Sequence, residues 1–207
     1  MVTTNDSELW SRMWSYKDHG KSWDAMFNRA HPPGFWWVHE SFGTNWRMTE
    51  MQAAIARVQL RRMPQWHAQR TRNALALLGA ARKHPVFRVP ELPGTVEHAW
   101  YKASAFVDPA RSKPGWDRER ITAELEMRGV PCRVGGCPEI YLEKAFDGTD
   151  LRPAERLPVA RMLGESSIVL MVHPTLTEED IGGMCKAIEE VGEMATAQVQ
   201  ETEKNRI

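Results

Sequence analysis

The longest periodic pattern in the chain lies between residues 49 and 84, where apolar positions recur every three or four residues. Thr49 and Gln52 are spaced as a capping box, in which each side chain bonds the backbone N–H of the other. Pro64 has no backbone N–H to continue a helix. The pattern predicts one long linking helix, kinked or broken at Pro64. One face of it carries Met51, Ile55 and Val58.

Residues 1–20 combine a β-leaning run with a helical pattern. The run "MVTTN" has strand composition. Asn5 or Asp6 then offers a helix N-cap, and Gly20 is suited to the end of that helix. A strand needs neighbouring strands, so a strand at the first residue leads us to expect partners upstream of this chain.

Residues 21–44 show no periodicity, and a Pro-Pro-Gly turn precedes three aromatic residues in "HPPGFWW". Loops of this length in compact domains are usually functional or belong to an interface. Seven of the nine tryptophans fall before residue 70. The first third therefore carries a large aromatic surface, in a core or at an interface.

Strand-like and helical segments alternate through residues 85–196, which predicts a small α/β or α+β domain. Strands are predicted within 98–108, in "VPCRV" and in "SSIVLMV"; helices are predicted from Asp117 to Gly129, over 153–163 and from Thr177 to about 196. The predicted organisation is 1–48, 49–84, 85–196 and a polar, frayed tail over 197–207.

Composition and charge indicate a globular protein of one or two domains. The chain has 207 residues, is 42 % hydrophobic, and has a net charge of zero from 27 basic and 27 acidic residues. Neither a nucleic-acid nor a membrane partner is indicated. From Met51 to Pro90 there are eight basic residues and no acid. This stretch is either a solvated basic face or a surface facing anionic groups, and the neutral net charge argues against a nucleic-acid binder using residues 57–88.

The cysteines indicate reduced thiols in a cytoplasmic protein. The chain has an odd number of cysteines, namely Cys132, Cys137 and Cys185. Its N-terminus lacks the pattern of a signal peptide. The "CRVGGC" spacing has no second pair of ligands, so we expect no metal site. Three histidines without a carboxylate partner at a recognisable spacing are interpreted as structural: His39, His98 and His173.

Polar residues alternate just before the predicted long helix. Gly43, Asn45 and Arg47 are spaced by two in "FGTNWRMTEMQAAI". Donor side chains beside a helix N-terminus can bind phosphate or carboxylate, and glycine permits a turn closed to other residues. The alternatives are a local cap by Asn45 and a surface ion pair by Arg47.

Several segments in order resemble the DegT/DnrJ/EryC1/StrS family of PLP-dependent sugar aminotransferases, over about residues 1–195. The "GTNWRMTEMQAAIARVQL" segment resembles the family pattern G-x-N-x-R-M/L…QAA…QL. The other matching segments are "MVTTNDSELWSRMWSYKDHGK", "RTRNALALL", "HAWYKASAFVD", the R-x-x-I-x-x-x-L-x-x-x-G-V pattern ending at Val130, and "HPTLTEEDI".

The resemblance implies the type I aminotransferase fold, working as a homodimer. This chain corresponds to the end of the large PLP domain, the long linking helix and the small α/β domain, which together form the C-terminal portion. The family transfers an amino group, usually from glutamate, to a nucleotide-linked keto sugar for polysaccharide, O-antigen or aminosugar biosynthesis. The cofactor is pyridoxal 5'-phosphate (PLP).

The resemblance also implies that the lysine that binds PLP lies upstream, because none of the eight lysines here stands in the family context. We therefore expect no catalytic residue in this chain and no transaminase activity from it alone. Two alternatives stay open. The first is a non-catalytic subunit of a split enzyme, and the second is part of a sugar dehydratase of the same family, in which histidine replaces the lysine.

Site roles follow from the matched positions. Asn45 matches the asparagine that reaches the PLP phosphate of the neighbouring subunit. Arg47 anchors its loop or an incoming carboxylate, or forms an interface salt bridge, and the loop 35–46 packs at the dimer interface. Thr44 replaces a frequent tyrosine, and the sugar-nucleotide segment lacks the family histidine, which puts the sugar substrate in doubt. Tyr141 is either a replacement substrate contact or a residue of the core or the surface.

Overall fold

The computed structural model describes residues 2–34 and 36–197. The chain divides into two compact units, with the boundary between Arg62 and Met63. The predicted boundaries at 48, 84 and 196 remain a prediction, and all but the first residue of the predicted tail lies outside the described residues.

The first unit begins with helix α1 (Ser7–Lys17). Asp6 caps it, because its Oδ1 accepts from the backbone N–H groups of Glu8 and Leu9 at 2.9 and 3.0 Å. The predicted cap is confirmed. The strand predicted over residues 1–5 is wrong from Val2 onward, since no described residue pairs with this run to take its backbone hydrogen bonds.

A short helix, α2 (Trp23–Phe27), lies in the segment predicted to be irregular. The Ser22 Oγ caps it by accepting from Ala25 N at 3.0 Å. Five residues are too few for a helical period, so the pattern alone does not find this helix. The Trp23 ring packs against two tryptophans of α1 edge to face, with centroids 5.5 Å from Trp10 and 5.2 Å from Trp14.

The predicted linking helix is α3 (Glu50–Arg82). Its capping box is confirmed: Thr49 N donates to Gln52 Oε1 at 3.0 Å, and Gln52 N donates to Thr49 Oγ1 at 3.3 Å. The predicted break is absent, because the helix continues through Pro64. The helix therefore tolerates the loss of the backbone hydrogen bond that Pro64 cannot donate. The buried positions fall in its second half: Asn73, Ala74, Leu77, Leu78, Ala80 and Ala81.

A four-stranded antiparallel sheet organises the second unit, in the order β1-β2-β4-β3. Its strands are β1 (Phe87–Arg88), β2 (Ala103–Val107), β3 (Cys132–Val134) and β4 (Ser167–Leu170). All three predicted strands are confirmed, whereas β1, with two residues, has no sequence signal of its own. Every residue of β4 is buried, as its apolar run predicts.

Three helices accompany the sheet: α4 (Arg118–Met127), α5 (Pro158–Ser166) and α6 (Glu178–Ala195). The helix predicted over 153–163 begins five residues late, because Pro158 occupies a first-turn position where proline is favoured. Three single 3₁₀ turns connect these elements, at Pro109–Arg111, Ile140–Leu142 and Lys144–Phe146. Among the described residues, none of the helices has both the length and the apolar character needed to cross a bilayer.

One hydrophobic core joins the sheet to α4, α6 and the second half of α3. Apolar burial is the main favourable term in folding, and this core supplies it for the second unit. Its largest fully buried side chains are Leu77, Ile121, Leu125, Ile168, Ile188, Val86, Val130, Val172, Val191 and Cys132.

Two glycines of α6 are expected to respond to alanine in opposite directions. A Cβ at Gly192 would lie 2.5 Å from Cγ of His84, whereas a Cβ at Gly182 meets nothing within 4 Å. We expect Gly192→Ala to lower the free energy of unfolding by roughly 1–3 kcal/mol through overpacking. Gly182→Ala should raise it by about 0.5–1 kcal/mol through helix propensity. Urea unfolding measures both; equal effects of the two variants would contradict the packing at His84.

Candidate functional site

The GTNWR loop (residues 43–47) is held against the C-terminal end of α1 by backbone hydrogen bonds. Thr44 N donates to Tyr16 O at 2.7 Å, and Trp46 N donates to Lys17 O at 2.9 Å. These carbonyls are in the last turn of the helix, where no intrahelical donor reaches them. The loop therefore satisfies the helix end, and the helix end fixes the conformation of the loop.

Two glycines allow this close approach. A Cβ at Gly43 would lie 2.5 Å from Gly20 N and 2.6 Å from Tyr16 O, and these are backbone atoms that cannot move aside. Gly20 has φ +83°, and a Cβ there would lie 1.7 Å from Ser41 O. Only glycine fits both positions without displacing the chain. This explains the glycine that precedes the polar pair.

Asn45 lies opposite Asp18 in an isolated antiparallel bridge. Its Oδ1 accepts from Arg47 N at 3.4 Å, so the carbonyl of the amide faces its own loop. Within residues 2–34 and 36–197, its Nδ2 donates to no protein acceptor, and the residue is exposed. The amide therefore has a fixed backbone position and available donors.

Arg47 forms an ion pair with Asp18, with Nε 3.3 Å from Oδ1. The Arg47 side chain is half exposed, whereas Asp18 is 6 % exposed. Lys21 Nζ lies 3.7 Å from the same Oδ1. Sequence reasoning missed Asp18, because an acid at the end of a helix has no periodic signal; only the bridge to Asn45 brings it to the loop.

Tyr141 lies in the second unit and is buried. Its hydroxyl donates to Glu139 Oε1 at 2.7 Å and accepts from Leu157 N at 2.8 Å. The hydroxyl is therefore already used within the protein, where it connects the segment of Glu139 to that of Leu157. A substrate contact by Tyr141 remains a prediction.

Glu139 connects Tyr141 to Arg156 through a two-point ion pair. Arg156 Nε donates to Oε1 at 2.9 Å and Nη2 donates to Oε2 at 2.5 Å. The hydrogen bonds from Arg156 and then from Tyr141 lower the pKa of Glu139 to about 2. Burial and the Glu139 carboxylate raise the pKa of Tyr141. Both groups keep their usual charges at neutral pH, which is typical of a structural network.

The three cysteines are free thiols. Burial raises the pKa of Cys132 to about 11, and burial also raises the pKa of Cys185. Two of the histidines have local structural contacts: His98 Nδ1 accepts from Trp100 N at 2.9 Å, and His173 Nδ1 lies 2.7 Å from Thr175 Oγ1. Among the residues that the structure describes, no group of three or more His, Cys, Asp or Glu side chains could hold a metal ion.

The chain is an aminotransferase-type protein by fold and by sequence. It belongs to the DegT/DnrJ/EryC1/StrS aminotransferase family, whose profile matches residues 1–189. An aminotransferase from Psychrobacter cryohalolentis is 51 % identical with a TM-score of 0.86, over 91 % of this chain and 50 % of that chain.

Two curated relatives extend the comparison. The erythromycin biosynthesis sensory transduction protein EryC1 of Saccharopolyspora erythraea is 30 % identical over 69 % of this chain and 37 % of its own length. The dTDP-3-amino-3,4,6-trideoxy-alpha-D-glucose transaminase of Streptomyces venezuelae is 23 % identical over 93 % of this chain and 45 % of its own length. The chain thus spans less than half the length of these two relatives.

Replacing Gly43 tests whether the GTNWR loop depends on close backbone contact. Gly43→Ala should lower the free energy of unfolding by roughly 1–3 kcal/mol, because the atoms that it meets are backbone. Hydrogen exchange of the Thr44 and Trp46 amides should accelerate. Gly94→Ala is the control, since a Cβ there meets nothing within 4 Å. Unchanged exchange in Gly43→Ala would contradict the seating of the loop.

Acidification tests the Glu139 network. The folded-state pKa of Glu139 is about 2, below its ordinary value of 4.5. The network therefore stabilises the fold fully above pH 4.5, and this contribution is lost as the pH falls toward 2. Urea unfolding between pH 7 and pH 2 should show Glu139→Gln less stable than wild type at pH 7, with the difference shrinking in acid. Glu91→Gln removes an exposed acid and controls for net charge; a pH-independent difference for Glu139→Gln would count against the network.

Proposed function

We propose that this chain is the C-terminal part of a PLP-dependent nucleotide-sugar aminotransferase that transfers an amino group from glutamate to a keto sugar. Family membership and the transaminase among the relatives support this reaction. The observation that carries the proposal is the GTNWR loop, which Gly43 holds in one conformation with the Asn45 amide exposed. The amino sugars that this reaction forms serve polysaccharide or aminosugar biosynthesis. The free thiols of the chain are compatible with a reaction in the cytoplasm.

The proposed architecture is the type I aminotransferase fold in a homodimer. Residues 1–48 are assigned to the end of the large PLP domain, 49–84 to the linking helix and 85–196 to the small domain. Trp37 and Phe42 belong to the loop assigned to the dimer interface and are 88 % and 100 % exposed. Large exposed aromatic side chains are typical of surfaces that a partner covers.

The residues present fit one contact to PLP. Asn45 has an uncharged Nδ2 donor without a protein acceptor among the described residues, which is suited to a phosphate oxygen of PLP bound by the neighbouring subunit. Among the described residues, no acceptor forms a hydrogen bond with the two η nitrogens of Arg47, which suits them to the carboxylate of the incoming amino donor. When bound, PLP acts as an electron sink. Asn45 and Arg47 hold and orient its charged groups or those of the substrate.

The proposal includes no catalytic residue in this chain. Several lysines are committed to structural contacts: Lys83 Nζ lies 2.6 Å from Glu189 Oε1, and Lys113 Nζ donates to Met194 O at 2.8 Å. Lys17 Nζ packs over the Trp14 ring. A lysine that reacts with PLP must instead be positioned beside a partner for the ring nitrogen, and we assign both groups to the segment upstream.

Borohydride labelling tests the missing lysine. Incubation of this chain with PLP should give no absorbance band near about 410–430 nm, the region expected for a PLP–lysine Schiff base. Reduction and peptide mapping should find no single lysine labelled. Denatured chain is the control for non-specific labelling. A band that reduction fixes to one lysine of the folded chain would contradict the proposal.

The sequence upstream separates the remaining alternatives. A reading frame that continues into a lysine within the family context favours a complete aminotransferase. A separate gene carrying that lysine favours a split enzyme, and a histidine at the lysine position favours a sugar dehydratase.

A further inference from the structure

We propose that Asp18 is a positioning residue that fixes Arg47 for binding of an oxyanion beside Asn45. This inference deepens the function proposed above and rests on it. Asp18 attracts the Nε end of the guanidinium, at 3.3 Å, and so leaves the two η nitrogens as the binding edge. The ligand is the carboxylate or phosphate group of a substrate or cofactor, since both accept paired N–H donors.

The burial of Asp18 gives this pair its strength. Asp18 is 6 % exposed, and its buried Oδ1 accepts no hydrogen bond from any residue that the structure describes. A buried carboxylate without hydrogen bonds is costly unless a cation lies close to it. Arg47 and Lys21 are the cations near this oxygen, at 3.3 and 3.7 Å. Movement of Arg47 toward solvent would leave the carboxylate under-compensated, so Asp18 restrains the guanidinium.

The backbone brings Asp18 to the side of the loop that carries Asn45 and Arg47. Asp18 and Asn45 are opposed in an antiparallel bridge. This bridge brings the Asp18 carboxylate to the loop, where its Oδ1 lies 3.3 Å from Arg47 Nε. The close backbone contact at Gly43 holds the loop in that position.

The local charge favours an anion. Arg47 and Lys21 bring two positive charges to one carboxylate, which leaves one net positive charge at this point of the loop. The neighbouring Asn45 adds neutral N–H donors. Because the Arg47 side chain is half exposed, the cluster combines a buried anchor with an accessible cation.

A simple ion pair and a positioning residue predict opposite results for Asp18→Asn. If Asp18 only neutralises Arg47, removing its charge strengthens binding of an anion. If Asp18 positions Arg47, its loss weakens binding, because the guanidinium must then be immobilised by the ligand. Ordering one such side chain corresponds to roughly two- to tenfold in affinity.

Nuclear magnetic resonance titration of the labelled chain measures this effect. The probes are glutarate, which carries carboxylates, and inorganic phosphate; the one that shifts the Arg47 η and Asn45 amide resonances at lower concentration identifies the ligand class. We expect Asp18→Asn to weaken that binding roughly two- to tenfold. Asp24→Asn is the matched control, because it removes the same charge from an exposed pair with Arg29 in the same unit. It should leave binding unchanged or slightly stronger.

Equal or tighter binding in Asp18→Asn overturns the inference, as does the absence of a saturable shift at Arg47 with both probes. The Thr44 and Trp46 amide resonances report whether the variant keeps the loop folded. If the loop of the variant is not folded, the wild-type chain provides the test. In wild type, the Arg47 Nε–H should exchange with solvent more slowly than the Nε–H of exposed Arg57. Exchange as fast as at Arg57 overturns the inference. A lysine labelled by borohydride would contradict the proposed function without changing these resonance and exchange measurements. Failure of the proposed function is therefore distinguishable from failure of this inference.

Discussion

The close contact between Gly43 and the last turn of α1 is the constraint on which the candidate site depends. At this contact, the helix end lacks donors for its carbonyls, and the GTNWR loop has N–H groups to supply them. Any side chain at Gly43 would keep the two backbones apart. The loop therefore supplies donors to carbonyls of the helix end that would otherwise be unsatisfied, and this contact fixes the backbone of the candidate site.

Asn45 and Tyr141 illustrate how hydrogen-bond capacity separates two kinds of polar residue. The Tyr141 hydroxyl donates once and accepts once within the protein, and it is buried. The Asn45 carbonyl is used by its own loop, but its amide donors stay available and exposed. A buried polar group must be satisfied internally, whereas a binding group must keep capacity for its ligand.

The two carboxylate–guanidinium pairs differ in the same way. Glu139 holds Arg156 at two points, and this geometry uses both carboxylate oxygens and stabilises the charged forms. Arg47 Nε lies 3.3 Å from Asp18 Oδ1, an oxygen that accepts no hydrogen bond from the described residues. The Glu139–Arg156 pair is a structural contact in which both carboxylate oxygens are already hydrogen-bonded. The second leaves part of the guanidinium available, which is the property on which our inference rests.

The sequence by itself determined the elements that depend on near neighbours in the chain. Asp6, the Thr49–Gln52 capping box and the buried run of β4 are local signals, and each is confirmed, because caps and apolar periodicity act over a few residues. The ordered family motifs also gave Asn45 and Arg47 as site candidates. Only the tertiary structure decided what those side chains contact. The partnership with Asp18 joins residues that are distant in sequence, and the two-residue strand β1 exists through its pairing with β2, which no local pattern encodes.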